Sequence, residues 1–182
     1  MKIFKALLAT ALITATLSAK TLKEGTLVIA TEGTYSPYSF YDEKNNLTGF
    51  DVDIARALAK ELGLKAEFLT APWDAMLAAF DAGKADIAMN QVSITQERKK
   101  KYNFSEPYTV AYAALVVRAD NEEIKSFADL KGKKSVHSAT SNWADMARSY
   151  GAEVVTADGF SKGVELIIAR RADATINDNI TF

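Results

Sequence analysis

Arg98 heads a run of four cations, Arg98 to Lys101, that closes the stretch NQVSITQERKKK (90–101). Thr95 is an N-capping residue by type, so the spacing predicts a helix whose first turn receives these cations, where the macrodipole already concentrates positive charge. An anion would compensate them. The planar fork of an arginine matches a carboxylate bidentately, and such charge-assisted bonds contribute about 1.5 to 3 kcal/mol each when water is excluded. For Lys99, Lys100 and Lys101 a solvated face is the plainer reading.

The elements that must position Arg98 follow from periodicity. Residues 26–31 (TLVIAT) predict a strand, and 40–47 a hairpin turning at Asn45 and Asn46. From Asp51 to Leu62 the apolar residues Val52, Ile54, Ala55, Leu58, Ala59 and Leu62 keep helical spacing, with acids in the first turn, Lys60 in the last and Gly63 as terminator. A strand over 66–70, a helix over 73–82 stopped by Gly83 and a strand over 86–90 then make a parallel βαβ unit. Shifted by 87 positions, residues 63–91 match 151–178: Asp86 falls on Asp173, Asn90 on Asn177 and Trp73 on Phe160. Two α/β units of one design are expected. Between them, 111–118 reads as an apolar strand crossing from one lobe to the other, 121–134 as a polar link with a short helix, and 135–138 as a strand. Ser141 or Asn142 would cap a helix ending at Gly151.

In open α/β sheets, ligands sit beyond the carboxyl ends of the strands. The repeat places Asn90-Gln91 at such an end in one lobe and Asn177-Asp178 in the other, so a polar cleft is expected where the lobes face each other. Its chemistry is asymmetric, with the cation of Arg98 on one side and the carboxylate of Asp178 on the other. An α-amino acid supplies the complement to both. Tyr35 and Trp73, each just past a strand, read either as apolar walls of that cleft or as core packing.

Composition excludes much else. The chain opens with Lys2 and Lys5, then an apolar stretch 6–17 ending in Ser18-Ala19, which reads as a secretory signal peptide over 1–19 and is too short for a comfortable membrane span. Taking Lys2 and Lys5 from the 22 cations leaves 20 against 23 anions, net −3, which argues against nucleic acid. With no cysteine there is no disulfide, no thiol nucleophile and no lipid attachment point. A soluble, exported, periplasmic protein is expected. A single histidine excludes a histidine-rich metal site, and neither a Gly-rich phosphate loop nor a nucleophile elbow is present. No cofactor and no metal are expected.

Five motifs together resemble one family: GTYSPYSF (33–40), LTGFDVDIARALAKELG (47–63), WDAMLAAFDAGKADI (73–87), SITQERKKKYNFSEPY (93–108) and IKSFADLKGKK (124–134). The chain from Thr26 onward is similar to the bacterial extracellular solute-binding proteins of the polar amino acid class, family 3, periplasmic components of ABC importers. The resemblance implies an α/β, two-lobe, periplasmic-binding-protein-like fold of type II, with lobes over 24–113 and 114–182. It further implies that Arg98 clamps an α-carboxylate, helped by Ser93, Ser141 and Asn142, and that Asp178 takes the α-ammonium with the Gln91 carbonyl assisting. Tyr35 and Trp73 match aromatic walls, and Glu32 an acidic position near the ligand. The implied partners are an amino acid and a membrane permease, with the protein itself a monomer that does not span the membrane.

Within the family, NQVSI and the later TSNW and RADATIND segments look most like the cystine-binding subgroup. Cystine is neutral with a second amino acid head, so its far end calls for uncharged bidentate partners such as Asn90, Gln91 and Asn142. Glutamine, arginine and histidine are the other polar amino acids in view. Two departures stand out. Residues 135–139 read SVHSA where the family has a glycine-rich turn, and the chain stops four residues past Asp178, so a C-terminally truncated fold with both lobes incomplete is expected. The rival of another class is a cyclohexadienyl (prephenate or arogenate) dehydratase on the same fold, for which Glu32 or His137 would be the general acid or base. A receptor sensor lobe is a third reading.

Overall fold

A strand buried along its whole length, Thr26–Thr31 (β1), organises the first lobe of the computed structural model, which describes residues 20–181. The predicted signal peptide, 1–19, lies outside the described residues. Because side chains alternate across a strand, β1 can serve two helices at once. Leu27 and Ile29 pack against Ala55 and Ala59 of α1 (Phe50–Glu61), while Val28 and Ala30 pack against Met76 and Leu77 of α2 (Trp73–Asp81). Strands β5 (Lys65–Thr70) and β6 (Ile87–Ala88) flank β1 in parallel.

The second lobe repeats the plan around β8 (Lys134–His137). Strands β9 (Glu153–Thr156) and β10 (Ala174–Asp178) flank it in parallel, and β7 (Ala113–Val117) adds to β10 antiparallel. Helix α4 (Asn142–Ser149) covers one face, with Ala147 against Ala174 and Ile176. Helix α5 (Phe160–Ile168) covers the other, with Ile167 against Val136 and Ala172. The internal repeat is visible here: α5 lies 87 positions after α2 at both ends, and in each lobe the repeated strands sit on either side of a central strand. Ser141 is the cap of α4, its hydroxyl accepting from the Trp143 N–H at 3.2 Å.

A small antiparallel sheet of β2 (Thr34–Tyr35), β3 (Ser39–Tyr41) and β4 (Leu47–Thr48) carries two tyrosines to the seam between the lobes. Its turn is held by the Asp42 carboxylate, which accepts the N–H of Lys44 at 2.9 Å and of Asn46 at 2.7 Å, with Asn45 at φ 61°.

Two expectations change. Helix α3 is a single turn, Gln96–Lys99, capped by the Thr95 hydroxyl, which accepts from Arg98 N–H at 3.1 Å. One turn carries little macrodipole, and Arg98 and Lys99 lie in its last turn, so helix polarity does not disfavour them. The strand expected over 111–118 is confined to 113–117 and belongs wholly to the second sheet, so the chain crosses between lobes in the irregular residues before it.

Gly49 precedes α1 at φ 121°, where a Cβ would stand 2.4 Å from the Tyr38 carbonyl oxygen and 2.8 Å from that of Pro37. Backbone cannot yield as a side chain can. Gly49→Ala is expected to lower stability by at least about 2 kcal/mol, read as a fall in the thermal midpoint; an unchanged midpoint would contradict this packing.

Candidate functional site

Between the lobes lies a cavity of about 1110 Å³. Glu32, Tyr35, Trp73, Asn90, Gln91, Ser93, Ser141, Asn142 and Asp178 all line it, so nine of the ten residues singled out from sequence share one wall system. Arg98 does not line the cavity and stands behind its rim. Its guanidinium donates to the Ser93 carbonyl (3.2 Å), to Asn142 Oδ1 (3.1 Å) and to the Thr140 carbonyl (3.2 Å), and it lies 5.2 Å from the centre of the Trp73 ring. Every one of those acceptors is neutral. Among the described residues Arg98 has no ion-pair partner, and its Nε–H makes no hydrogen bond. Burial pulls the guanidinium below its ordinary pKa.

Asp178 is the mirror case. It is buried at the end of β10, and its carboxylate accepts from the hydroxyls of Tyr35, Tyr38 (3.3 Å) and Thr181 (2.7 Å) and from the Ile180 N–H (3.3 Å). No cation pairs with it among the described residues. Tyr35 also donates to Asn177 Oδ1 at 3.0 Å, and its ring meets Phe160 edge-on at 6.3 Å. Tyr35 therefore combines both readings offered from sequence, wall and packing. Trp73 does likewise, under Arg98.

The amides of Asn90 and Gln91 are engaged inside the first lobe. Asn90 Oδ1 accepts from Thr31 Oγ1 (2.9 Å), Ser39 Oγ (2.8 Å) and the Glu32 N–H (2.9 Å), and its Nδ2 donates to Glu32 at 2.6 Å. Gln91, at φ 51°, donates through its backbone N–H (2.9 Å) and Nε2 (2.7 Å) to Asp51, and its Oε1 accepts from Thr109 at 2.6 Å. Asp51, buried at the start of α1, is thus a support that sequence reasoning took only for a helix-start signal. Its carboxyl is raised by burial. His137 lines the cavity but is only 5% exposed; its Nε2 is 2.8 Å from Ser135 Oγ, and burial holds its pKa down at about 4, so it stays neutral.

Glu32 differs from all of these. It is 5% exposed, yet its Oε1 has no hydrogen-bond partner among the described residues, and a Cβ at Gly159 of the opposite lobe would stand 3.4 Å from that oxygen. A buried carboxylate oxygen without a donor is costly. Burial first, with Asp158 and Asp74 adding to it against the Asn90 hydrogen bond and the nearby Trp73 N–H, pushes the carboxyl up to about 7. Among the described residues no cluster could hold a metal.

The family model for bacterial extracellular solute-binding proteins, family 3, matches residues 27–180. A probable amino-acid ABC transporter-binding protein of Haemophilus influenzae is 47% identical over 158 residues, 87% of this chain and 62% of the relative. The L-cystine-binding protein TcyA of Bacillus subtilis is 42% identical over 87% of this chain and 59% of its own length. The chain thus spans about six-tenths of those relatives. Among solved structures, an ancestral arginine-binding protein bound to glutamine superposes with a TM-score of 0.83 at 40% identity, covering 87% of this chain and 72% of that one. The two-lobe, periplasmic-binding-protein-like α/β fold is therefore shared.

Glu32 makes the site sensitive to pH. A carboxyl raised from 4.5 to about 7 by folding binds its proton more tightly in the folded form. Its contribution to stability is complete below pH 4.5 and lost as pH rises to about 7. The thermal midpoint of the protein relative to Glu32→Gln is expected to fall across that window and level off above it. Parallel pH profiles would contradict the assignment.

Proposed function

The chain belongs to the bacterial extracellular solute-binding proteins of family 3, and from that premise we propose that it binds a polar amino acid, L-cystine before others, between lobes 24–113 and 114–182 for delivery to the permease of an ABC-type importer. The observation that carries the reading is electrostatic. A half-buried guanidinium in one lobe and a buried carboxylate in the other, at one seam, both lack a countercharge among the described residues. A zwitterion brings one charge for each. Its carboxylate would take the free edge of Arg98 past Ser93, Ser141 and Asn142, and its ammonium would take Asp178 in exchange for tyrosine hydroxyls. Tyr35 and Trp73 flank the carbon skeleton.

The likeness to an L-cystine-binding protein favours cystine. The chemistry of the far end is supplied by Glu32 rather than by Asn90 and Gln91, whose amides are already engaged. Its partnerless oxygen suits a second ammonium, which cystine carries. The same oxygen, with Asp74 and Asp158 adding negative potential, suits the guanidinium of arginine as the second reading. A binder rather than a dehydratase is favoured by His137, which is neutral and hydrogen-bonded to Ser135, and by relatives named as binding proteins. Among the described residues no helix is long and apolar enough to cross a membrane. With the export signal read over 1–19, we place the protein in the periplasm as a monomer.

Thermal-shift screening against the twenty amino acids and cystine tests this. Cystine is expected to raise the midpoint, and Arg98→Ala to weaken its affinity by at least ~30-fold, about 2 kcal/mol of lost charge-assisted bonding. A rise with arginine alone would replace the ligand and keep the family. Equal affinity in wild type and Arg98→Ala would overturn the clamp.

A further inference from the structure

We propose that Asp74 and Asp158 form a latch in which each lobe caps the other's backbone, holding the seam shut whether or not a ligand is present. Helix α2 has Pro72 as its N-cap, a residue that offers no side-chain cap. The Asp74 N–H, in the first turn and so without an intrahelical acceptor, donates to Asp158 Oδ1 of the second lobe at 2.8 Å. The Asp74 carboxylate answers in the other direction. It accepts the N–H groups of Ala139 (2.8 Å) and Thr140 (2.9 Å) and the Thr140 hydroxyl (2.6 Å).

Thr140 is the strike plate. Its hydroxyl also accepts from Trp73 Nε1 at 2.9 Å, and its carbonyl from Arg98 at 3.2 Å, so its N–H, hydroxyl and carbonyl are all engaged by the first lobe. Donors of this turn, which could otherwise face an anion, are already committed to Asp74. None of Asp74, Ala139, Thr140 or Asp158 lines the cavity, and Thr140 joins them to its edge through Trp73 and Arg98. Ala139, Thr140 and Asp158 are exposed, and water competes for every bond. Such a latch is reversible. It sets how often the empty seam opens and how fast a trapped molecule leaves. Asp74 and Asp158 are positioning residues in this scheme, acting on closure and through it on the site.

The chain has no cysteine, so Lys60→Cys in one lobe and Lys125→Cys in the other give a unique dye pair for single-molecule distance measurement on the full chain. Without ligand, Asp74→Ala is expected to move the closed-to-open ratio toward open by roughly tenfold, with Asp74→Asn between it and wild type. Asp158→Ala removes the cap on α2, together with its negative potential at Glu32, and leaves the Asp74 carboxylate bonds in place, so it should give a smaller shift in the same direction. It also keeps the test alive should Asp74→Ala fail to fold. The far-UV thermal midpoint serves as control, and a purely structural role would move it without moving the distance distribution. Distributions that coincide in wild type, Asp74→Asn and Asp158→Ala would overturn the latch. With cystine as probe, the dissociation rate should rise in step with opening. That last readout alone rests on the proposed function: if no amino acid binds, that reading fails, and the ligand-free distances still decide the latch.

Discussion

The desolvation of two opposite charges that do not meet is the constraint on which this molecule turns. A guanidinium and a carboxylate withdrawn from water each lose several kcal/mol of hydration, roughly, and an ion pair would ordinarily recover part of it. Arg98 and Asp178 recover it from neutral groups: carbonyls and an amide oxygen for the first, hydroxyls and an N–H for the second. Hydrogen bonds to dipoles orient both groups but bring no countercharge to either. That imbalance gives a zwitterion its advantage over a neutral solute of the same shape.

The rest of the fold serves to hold those groups at one seam. A central strand buried on both faces fixes each lobe, and the repeated βαβ units bring the carboxyl ends of β6 and β10 to face each other. Internal polar nodes then set the walls. Asn90 ties β1, β3 and Glu32 together, and Asp51 holds Gln91 in a left-handed conformation while also accepting from Tyr108 at 3.0 Å. These bonds explain why several polar side chains that face the cleft are not free to bind a solute.

How much of this was legible in the sequence depended on range. Periodicity and glycines located α1, α2 and the Asn45 turn within a residue or two, and the shift of 87 anticipated α5 at both ends because both signals are local. Nearly all the proposed site residues came together because strand ends in parallel sheets are constrained by topology. The expected placing of the cations in a first turn failed, since Thr95 announces a start and nothing after Lys99 announces so early a stop. The parts that escaped are long-range pairings. Asp74 meets residues 65 and 66 positions away and Asp158 one 84 away, and no local pattern encodes such a partner. Glu32 stood out by type, but the lack of a donor at its Oε1 is a fact of three-dimensional packing alone.

A crystal structure of the protein with L-cystine is the most direct measurement of the central claim. One α-carboxylate of the ligand is expected on the Arg98 guanidinium and the ammonium of the same head on Asp178, with the lobes shut around it. A bound ligand whose charged groups touch neither residue, with Arg98 still held only by Ser93, Thr140 and Asn142, would contradict it.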